Sequence, residues 1–593
     1  MSPFIRNVFS SCLGVGLALV MFGFFGFLLL VGIASGGEKT AKVESGTWLH
    51  LSLDQPVPEQ TGNVDIDPLS FSTKENIGLQ DMIRCLDAAA KDDKVEGIFL
   101  DLDPAGIQAG MSTAKTLRRA LADFKKSGKT VLAYSKSYSQ GAYFMASVAD
   151  TVYLNPMGSV DLVGFASVIP FFKEMLDKAG IRVQVFYAGD FKGATEPYRL
   201  TGLSEQNRRQ IREYLEPVFQ HFLADISTDR GVPAEALRRL ADSLAIRNAK
   251  DALEHGLVDR IAYRDEVLQD LRTLQGIPEK ENLRTTSIAD YFSNIRKSRI
   301  GEGKERIAVV YAEGNIVDGA GGKGNIADGQ YVRLLSQLRR DEKIKAVVLR
   351  VNSPGGSAMA SENIAREISL LRESGKPVVA SMGDYAASGG YYISCLANRI
   401  VATPNTLTGS IGVFSLIPNI AELMEDKLGV HWDTVKTAAN STGISPFFDL
   451  SATEESLMQQ STLEVYDIFL RRVSEGRGLS VDSVHAVAQG RVWTGERAVS
   501  LGLVDTLGDL QVAVDLAAEL AGVSAYRLQQ YPIQKDAIQE LLEKMTGQDE
   551  DGVRNALFRR ELGSFYPYYE HLQELLRQGQ GVQARLPFVV PFR

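Results

Sequence analysis

The chain resembles itself at a shift of about 248 residues, and nothing else in it constrains the fold as tightly. Segment 95–103 (VEGIFLDLD) matches 345–353 (KAVVLRVNS) in pattern. Both are short apolar runs rich in branched side chains, which read as buried parallel strands. Each runs into a Pro/Gly turn, Pro104-Ala105-Gly106 or Pro354-Gly355-Gly356, and then a helical stretch. Next come 130–134 (TVLAY) and 377–381 (PVVAS), again strand-like, each leading through small residues into a short helix at 141–149 or 389–397. Then 151–156 (TVYLNP) pairs with 399–404 (RIVATP), Gly164 with Gly412, and 256–259 (GLVD) with 502–505 (GLVD). Strand, glycine turn, helix, strand in this order predicts an α/β fold: two tandem repeats, each with helices outside a mostly parallel sheet.

The boundaries follow from the repeat. The first copy spans 38–262 and a charged connector 263–305. The second copy spans 306–530, and a helical-looking tail, 531–593, has helical patterns at 537–545 and 569–577 and an apolar end, 586–592 (LPFVVPF). A tail of that kind is expected to pack on its own fold or on a neighbouring subunit. At 593 residues one compact domain is excluded, and Gly plus Pro at 54 and 20 leaves ample sequence for a core. With 64 basic and 73 acidic residues, a net charge of −9 and no long basic run, nucleic acid is not an expected partner. Three distant cysteines and six scattered histidines without HExxH support no disulfide framework, no metal site and no redox pair.

Residues 1–37 read as a membrane anchor. From Asn7 to Gly37 there are 31 residues without a charge, with a dense apolar run at 17–31. About 20 apolar residues cross a bilayer core of roughly 30 Å, so the span, taken as 8–34, is long enough. A cleavable signal peptide, with small residues at 34–36, is the competing reading. Its apolar region is normally shorter, roughly 7–15 residues, which favours an uncleaved anchor. The flanking charges favour neither orientation.

The chemistry lies where the two copies disagree. The second copy reads Asp384-Tyr385-Ala386-Ala387-Ser388-Gly389-Gly390 at a strand-to-helix turn, and the first has Gln140 opposite Ser388. A serine there, among small residues and at a helix start, has the setting of a nucleophile beside bare N–H groups. A helix N-cap serine has the same local sequence. Two adjacent glycines at 355 and 356, after a buried strand, let N–H groups aim into a cleft as an oxyanion hole requires. An ordinary strand-to-helix turn reads the same way. His431 and His485 are the only histidines between 305 and 530, and neither sits in a glycine-bounded turn. A buried neutral lysine is the other available base. The first copy supplies Lys192 within Gly189-Asp190-Phe191-Lys192-Gly193-Ala194, and the second has Asn440 at the equivalent place. By spacing alone Lys192 reads as a surface lysine. The reciprocal loss is what marks it: each copy lacks what the other has.

Three motifs of the second copy, 352–356 (NSPGG), 387–391 (ASGGY) and 408–412 (TGSIG), resemble the signal peptide peptidase A family, specifically its long, duplicated protease IV form. The likeness covers essentially the whole chain, including 191–197 (FKGATEP). It implies a fold related to the ClpP and crotonase families and a Ser/Lys dyad, with Ser388 as nucleophile and Lys192 as general base. It further implies Gly389 with Gly355 or Gly356 as oxyanion donors, Ser410 orienting the lysine, and no metal or cofactor. The implied protein is a serine endopeptidase of the bacterial inner membrane, a single-pass homotetrameric bowl with its catalytic body in the periplasm. It would degrade cleaved signal peptides and other unfolded apolar peptides. Two other classes stay open on the residues alone: a non-catalytic membrane scaffold, and a crotonase-type acyl-CoA enzyme, which would need carboxylates that the motifs do not supply.

Overall fold

The computed structural model describes residues 43–533 apart from 63–64, 67–72, 75, 296–299 and 323, together with 14, 16–18, 21, 561–562, 566 and 582–585. The expected anchor and the two helical patterns of the tail therefore lie outside the described residues or nearly so. Among the described residues no helix is long and apolar enough to cross a membrane.

Both copies build the expected parallel sheet, because their branched apolar runs are buried on two faces and need helices on each side. In the first, the strand order is Arg260–Ile261, Thr151–Leu154, Thr130–Ser135, Val95–Asp101, Thr47–Leu51, Thr285–Ser287, all parallel. In the second it is Val492–Thr494, Leu407–Gly409, Val378–Ala387, Ile344–Ser353, Glu305–Glu313, Tyr526–Tyr531, with Arg399–Ala402 and Thr506–Leu507 branching from Val378–Ala387. Each copy also carries one 26-residue helix, Glu205–Arg230 and Ala452–Arg477. Both start on a serine whose side chain accepts a backbone N–H and end on a left-handed glycine, so the repeat extends to the caps.

The connector is not a spacer. Residues 264–275 form a helix, and Thr285–Ser287 adds an edge strand to the first sheet beside Thr47–Leu51. The second copy does the same with helix Leu510–Ala521 and strand Tyr526–Tyr531. The first unit thus continues past Ala262. Its edge strand is only three residues long, too short for a hydrophobic pattern to stand out in the sequence. In the tail, Gln583–Arg585 is a short strand between the helical pattern at 569–577 and the apolar end at 586–592.

A third sheet joins the copies. Its order is Asn325–Ala327, Asn315–Val317, Gly355–Ser357, Gln583–Arg585, Val413–Asn419, Arg182–Ala188. Arg182–Ala188 comes from the first copy and pairs antiparallel with all of Val413–Asn419 from the second. A buried polar knot secures the same junction. Arg350 donates to both oxygens of Glu59 at 2.9 and 3.0 Å, and to Ser381 Oγ and the Met382 carbonyl. Asp384, four residues before Ser388, accepts from the Gly110 and Thr113 N–H groups and the Thr113 hydroxyl at 3.1, 2.9 and 2.7 Å. Every buried charge here has partners from the opposite copy, which is what makes its burial tolerable.

Glu313 adds a third acid to the knot, accepting from the Glu59 N–H at 3.0 Å. Burial, then the Glu59 charge, pushes its carboxyl up to about 7. The folded chain therefore holds a proton that the unfolded chain releases near 4.5. The stability that Glu313 contributes is present below about 4.5 and is lost as pH rises toward about 7. Replacing Glu313 by Gln is expected to flatten that dependence, read as the difference in Tm between pH 5 and pH 8 for the two full chains.

Candidate active site

Ser388 follows directly on strand Val378–Ala387 and precedes helix Gly389–Cys395. Its φ of 55° and ψ of −114° are strained for a residue with a side chain, at a cost of roughly 1–3 kcal/mol. The turn is held by the Ser388 N–H donating to the Gly409 carbonyl at 2.8 Å. The side chain does not cap the helix. The N-cap alternative is thereby removed, and the hydroxyl is left for other work.

Lys192 lies just past the crossing strand Arg182–Ala188, which carries it out of its own copy. Three atoms surround its amine: Ser388 Oγ at 2.7 Å, and the Ser410 carbonyl and Ser410 Oγ, both at 3.1 Å. Ser388, Ser410 and Lys192 are all buried, at 0, 1 and 1 % exposure. Burial alone lowers the Lys192 amine well below its usual range, and no carboxylate opposes it. Without a counter-charge a buried ammonium sheds its proton. A neutral amine has two hydrogens and one lone pair. The Ser410 carbonyl can only accept, and its hydroxyl takes the other N–H. The lone pair is then free for the Ser388 proton.

Ser410 also sits at positive φ, 49°, fixed by its N–H donating to the Arg491 carbonyl at 2.7 Å. The Ser388 hydroxyl has a second neighbour in the Gly412 carbonyl at 3.4 Å. The two expected glycines are not equivalent. The Gly355 N–H is occupied by Ser353 Oγ at 3.1 Å, so it is not a free donor. Gly356 is the one whose N–H lies beside Gly389: a Cβ added to Gly389 would come 3.1 Å from it. Gly356 admits no side chain, since a Cβ there would meet the Ile316 carbonyl oxygen at 2.0 Å.

The first copy has closed its equivalent place. Gln140 Oε1 accepts from the Val163 and Gly164 N–H groups at 3.2 and 2.9 Å, and its Nε2 donates to the Gly164 carbonyl at 3.0 Å. The amide ties down the loop that, in the second copy, surrounds the serine. Asn440, opposite Lys192 in the repeat, is exposed. His431 is exposed, and His485 contacts Tyr466, not the serine.

Several positioning residues escape sequence reasoning. The Gln489 carbonyl accepts from the Phe191 N–H at 2.9 Å, and Gly490 presses on the Lys192 backbone so closely that a Cβ would fall 2.7 Å from it. Gln210 bridges the copies, donating to the Phe191 carbonyl at 2.9 Å and accepting from the Val492 N–H at 3.1 Å. The signal available in sequence was the Gly490 turn, which has no special composition.

The peptidase family S49 profile matches residues 123–278 and 371–524, once in each copy. Protease 4 of Salmonella typhi is 37% identical over 553 residues, covering 88% of this chain and 87% of that protein. Protease 4 of Haemophilus influenzae is 35% identical over 84% of this chain and 83% of its own length. The chloroplastic serine protease SPPA of Arabidopsis thaliana is 32% identical over 81% of this chain and 70% of its own. With both copies matched, and matched to proteins of nearly the same extent, the chain belongs to peptidase family S49 and is a serine peptidase.

Proposed function

We propose that Ser388 and Lys192 form a catalytic dyad drawn from the two copies within one chain. The observation that carries this reading is a buried amine with no acid partner, 2.7 Å from a strained serine hydroxyl. Neutral Lys192 takes the Ser388 proton as Oγ attacks a peptide carbonyl. The N–H groups of Gly389 and Gly356 receive the developing oxyanion, where each preorganised donor is worth roughly 3–4 kcal/mol of barrier. Lys192 then passes the proton to the leaving amine, and water attacks the acyl-enzyme with Lys192 again as base. Ser410 turns the amine so that its lone pair points at Ser388. Its role is positioning.

The substrates are cleaved signal peptides and other unfolded apolar chains. That reading rests on the resemblance and on the names of the relatives, including a protein of Enterococcus faecium named as a signal peptide peptidase, 34% identical over 40% of this chain. Residues 8–34 anchor the protein in the bacterial inner membrane with the catalytic body in the periplasm, and four copies make a bowl that admits only unfolded chains. Each copy is a relative of the ClpP and crotonase fold, in line with its parallel α/β sheet.

Hydrolysis of an unfolded apolar peptide tests the dyad. Ser388→Ala is expected to lower kcat/KM by at least about 10³-fold, and Lys192→Ala by roughly 10²–10⁴-fold. Turnover near the wild-type rate after either change would rule out the assignment, and a wild type without turnover would favour the scaffold. The pH profile gives an independent check. The base must be unprotonated, so kcat/KM should rise with pH through the depressed pKa of Lys192, well below that of an ordinary lysine. Lys192→Met should abolish activity yet raise the Tm at neutral pH, because folding would no longer strip a proton and its water from that amine.

A further inference from the structure

Helix Glu205–Arg230 of the first copy turns a polar stripe, Asn207, Gln210 and Glu213, toward the lysine turn, because residues three apart share a helix face. Asn207 covers Gly193, where an added Cβ would meet its Oδ1 at 2.7 Å. Gln210 is tied to the Phe191 carbonyl and the Val492 N–H. Glu213 reaches the neighbouring residue of the second copy, accepting from the guanidinium of Arg491, and also accepts from Arg209 Nε at 2.8 Å. Burial works against its carboxylate, but the hydrogen bonds from Arg209 and Arg491 outweigh it and hold its pKa below the usual range. The pair thus stays charged at neutral and alkaline pH.

Arg491 touches both supports of the catalytic amine. Its carbonyl accepts the Ser410 N–H at 2.7 Å, so its backbone holds the residue that turns the amine. Its side chain holds the turn before Lys192: the guanidinium carbon lies 4.9 Å from the centre of the Phe191 ring and 4.2 Å from that of Trp493. A flat guanidinium stacks on aromatic faces, and a lysine ammonium lacks that flat surface. Trp493 is itself fixed, its Nε1 donating to the Val487 carbonyl at 2.9 Å. It lies against Gly409, where a Cβ would fall 2.9 Å from its ring, and the Gly409 carbonyl accepts the Ser388 N–H.

The far side of this group faces solvent. A cleft of about 620 Å³ opens between the copies, with Arg209, Glu213, Tyr214, Arg491, Trp493 and Arg497 among its walls. The Arg491 side chain is 18 % exposed there, whereas Lys192, next in the chain to its stacking partner Phe191, is 1 % exposed. We propose that Arg491 is a positioning residue of the dyad, a seal between this cleft and the lysine turn that keeps water from the amine and holds it toward Ser388. The proposal rests on the Ser388–Lys192 reading. Arg491 acts through Phe191 and Ser410, not on the reacting atoms. What it supplies is dryness: burial alone depresses the amine, so water admitted past Phe191 would restore its affinity for a proton.

The test follows kcat/KM of the full chain toward an unfolded apolar peptide as a function of pH, since its rising limb reports the base of the free enzyme. In Arg491→Ala the limb is expected to move to higher pH by at least about half a unit, because a better-solvated amine keeps its proton longer. KM should stay within about twofold, as no substrate contact is lost. Arg491→Lys keeps the charge and loses the flat surface. Its limb is expected to move the same way, and it decides the matter alone if Arg491→Ala does not fold. A wild-type limb in Arg491→Lys would mean that charge and not the seal acts on Lys192, and would overturn the proposal, as would an unmoved limb in folded Arg491→Ala. Turnover near the wild-type rate in Lys192→Ala would instead overturn the dyad itself, so the two failures are told apart.

Discussion

The strand Arg182–Ala188 leaves the copy that encodes it and pairs over its full length with Val413–Asn419 of the other. Seven residues of antiparallel ladder fix its direction and its register, and Lys192 follows four residues after it. A one-residue slip would reverse the faces of the strand and carry the lysine away from the serine. The Gln489–Gly490 turn then closes on the Lys192 backbone, and Gln210 ties it to Val492. The amine ends up in an enclosed place without a carboxylate, where burial lowers its pKa well below the usual lysine range. Its burial is thus a consequence of how two sheets are joined.

Holding that junction shut is costly, and the structure offsets the cost locally. Arg350 is buried, but Glu59 from the first copy meets it with two hydrogen bonds. Asp384 is buried, but three donors from Gly110 and Thr113 satisfy it. Both charged residues stand on the strands that end at the catalytic turns: Arg350 leads to Gly355 and Gly356, and Asp384 to Ser388. The strain at Ser388 and Ser410, both at positive φ, is sustained by the same rigid neighbours. Docking of the copies and the shape of the site are one constraint.

The two copies differ at the positions of Ser388 and Lys192. The crossing strand carries Lys192 to the second copy, and the first has Gln140 in place of Ser388. Gln140 satisfies its own amide on the Gly164 loop, so that place in the first copy is a packing contact. In the second copy the segment opposite Lys192 is free to become exposed chain, with Asn440 at its surface.

Much of this was legible in the residues. The repeat, the parallel strands at 95–101 and 344–353, the turns that follow them, and the reciprocal exchange of Ser388 and Lys192 all follow from branched apolar runs, paired glycines and a comparison of the copies. Those are local or internal signals, carried by steric preference and by period. Distance is not such a signal. That Lys192 lies 2.7 Å from Ser388, that its amine has no acid beside it, and that Gly356 lies beside Gly389 depend on residues far apart in the chain. The three-residue strands at 285–287 and 583–585 were unreadable for a related reason. Each is too short to carry a pattern, and each exists only because a sheet edge or a gap already waits for it. The residue types determined what chemistry the chain could perform; the packing of one copy against the other decided which atoms would perform it.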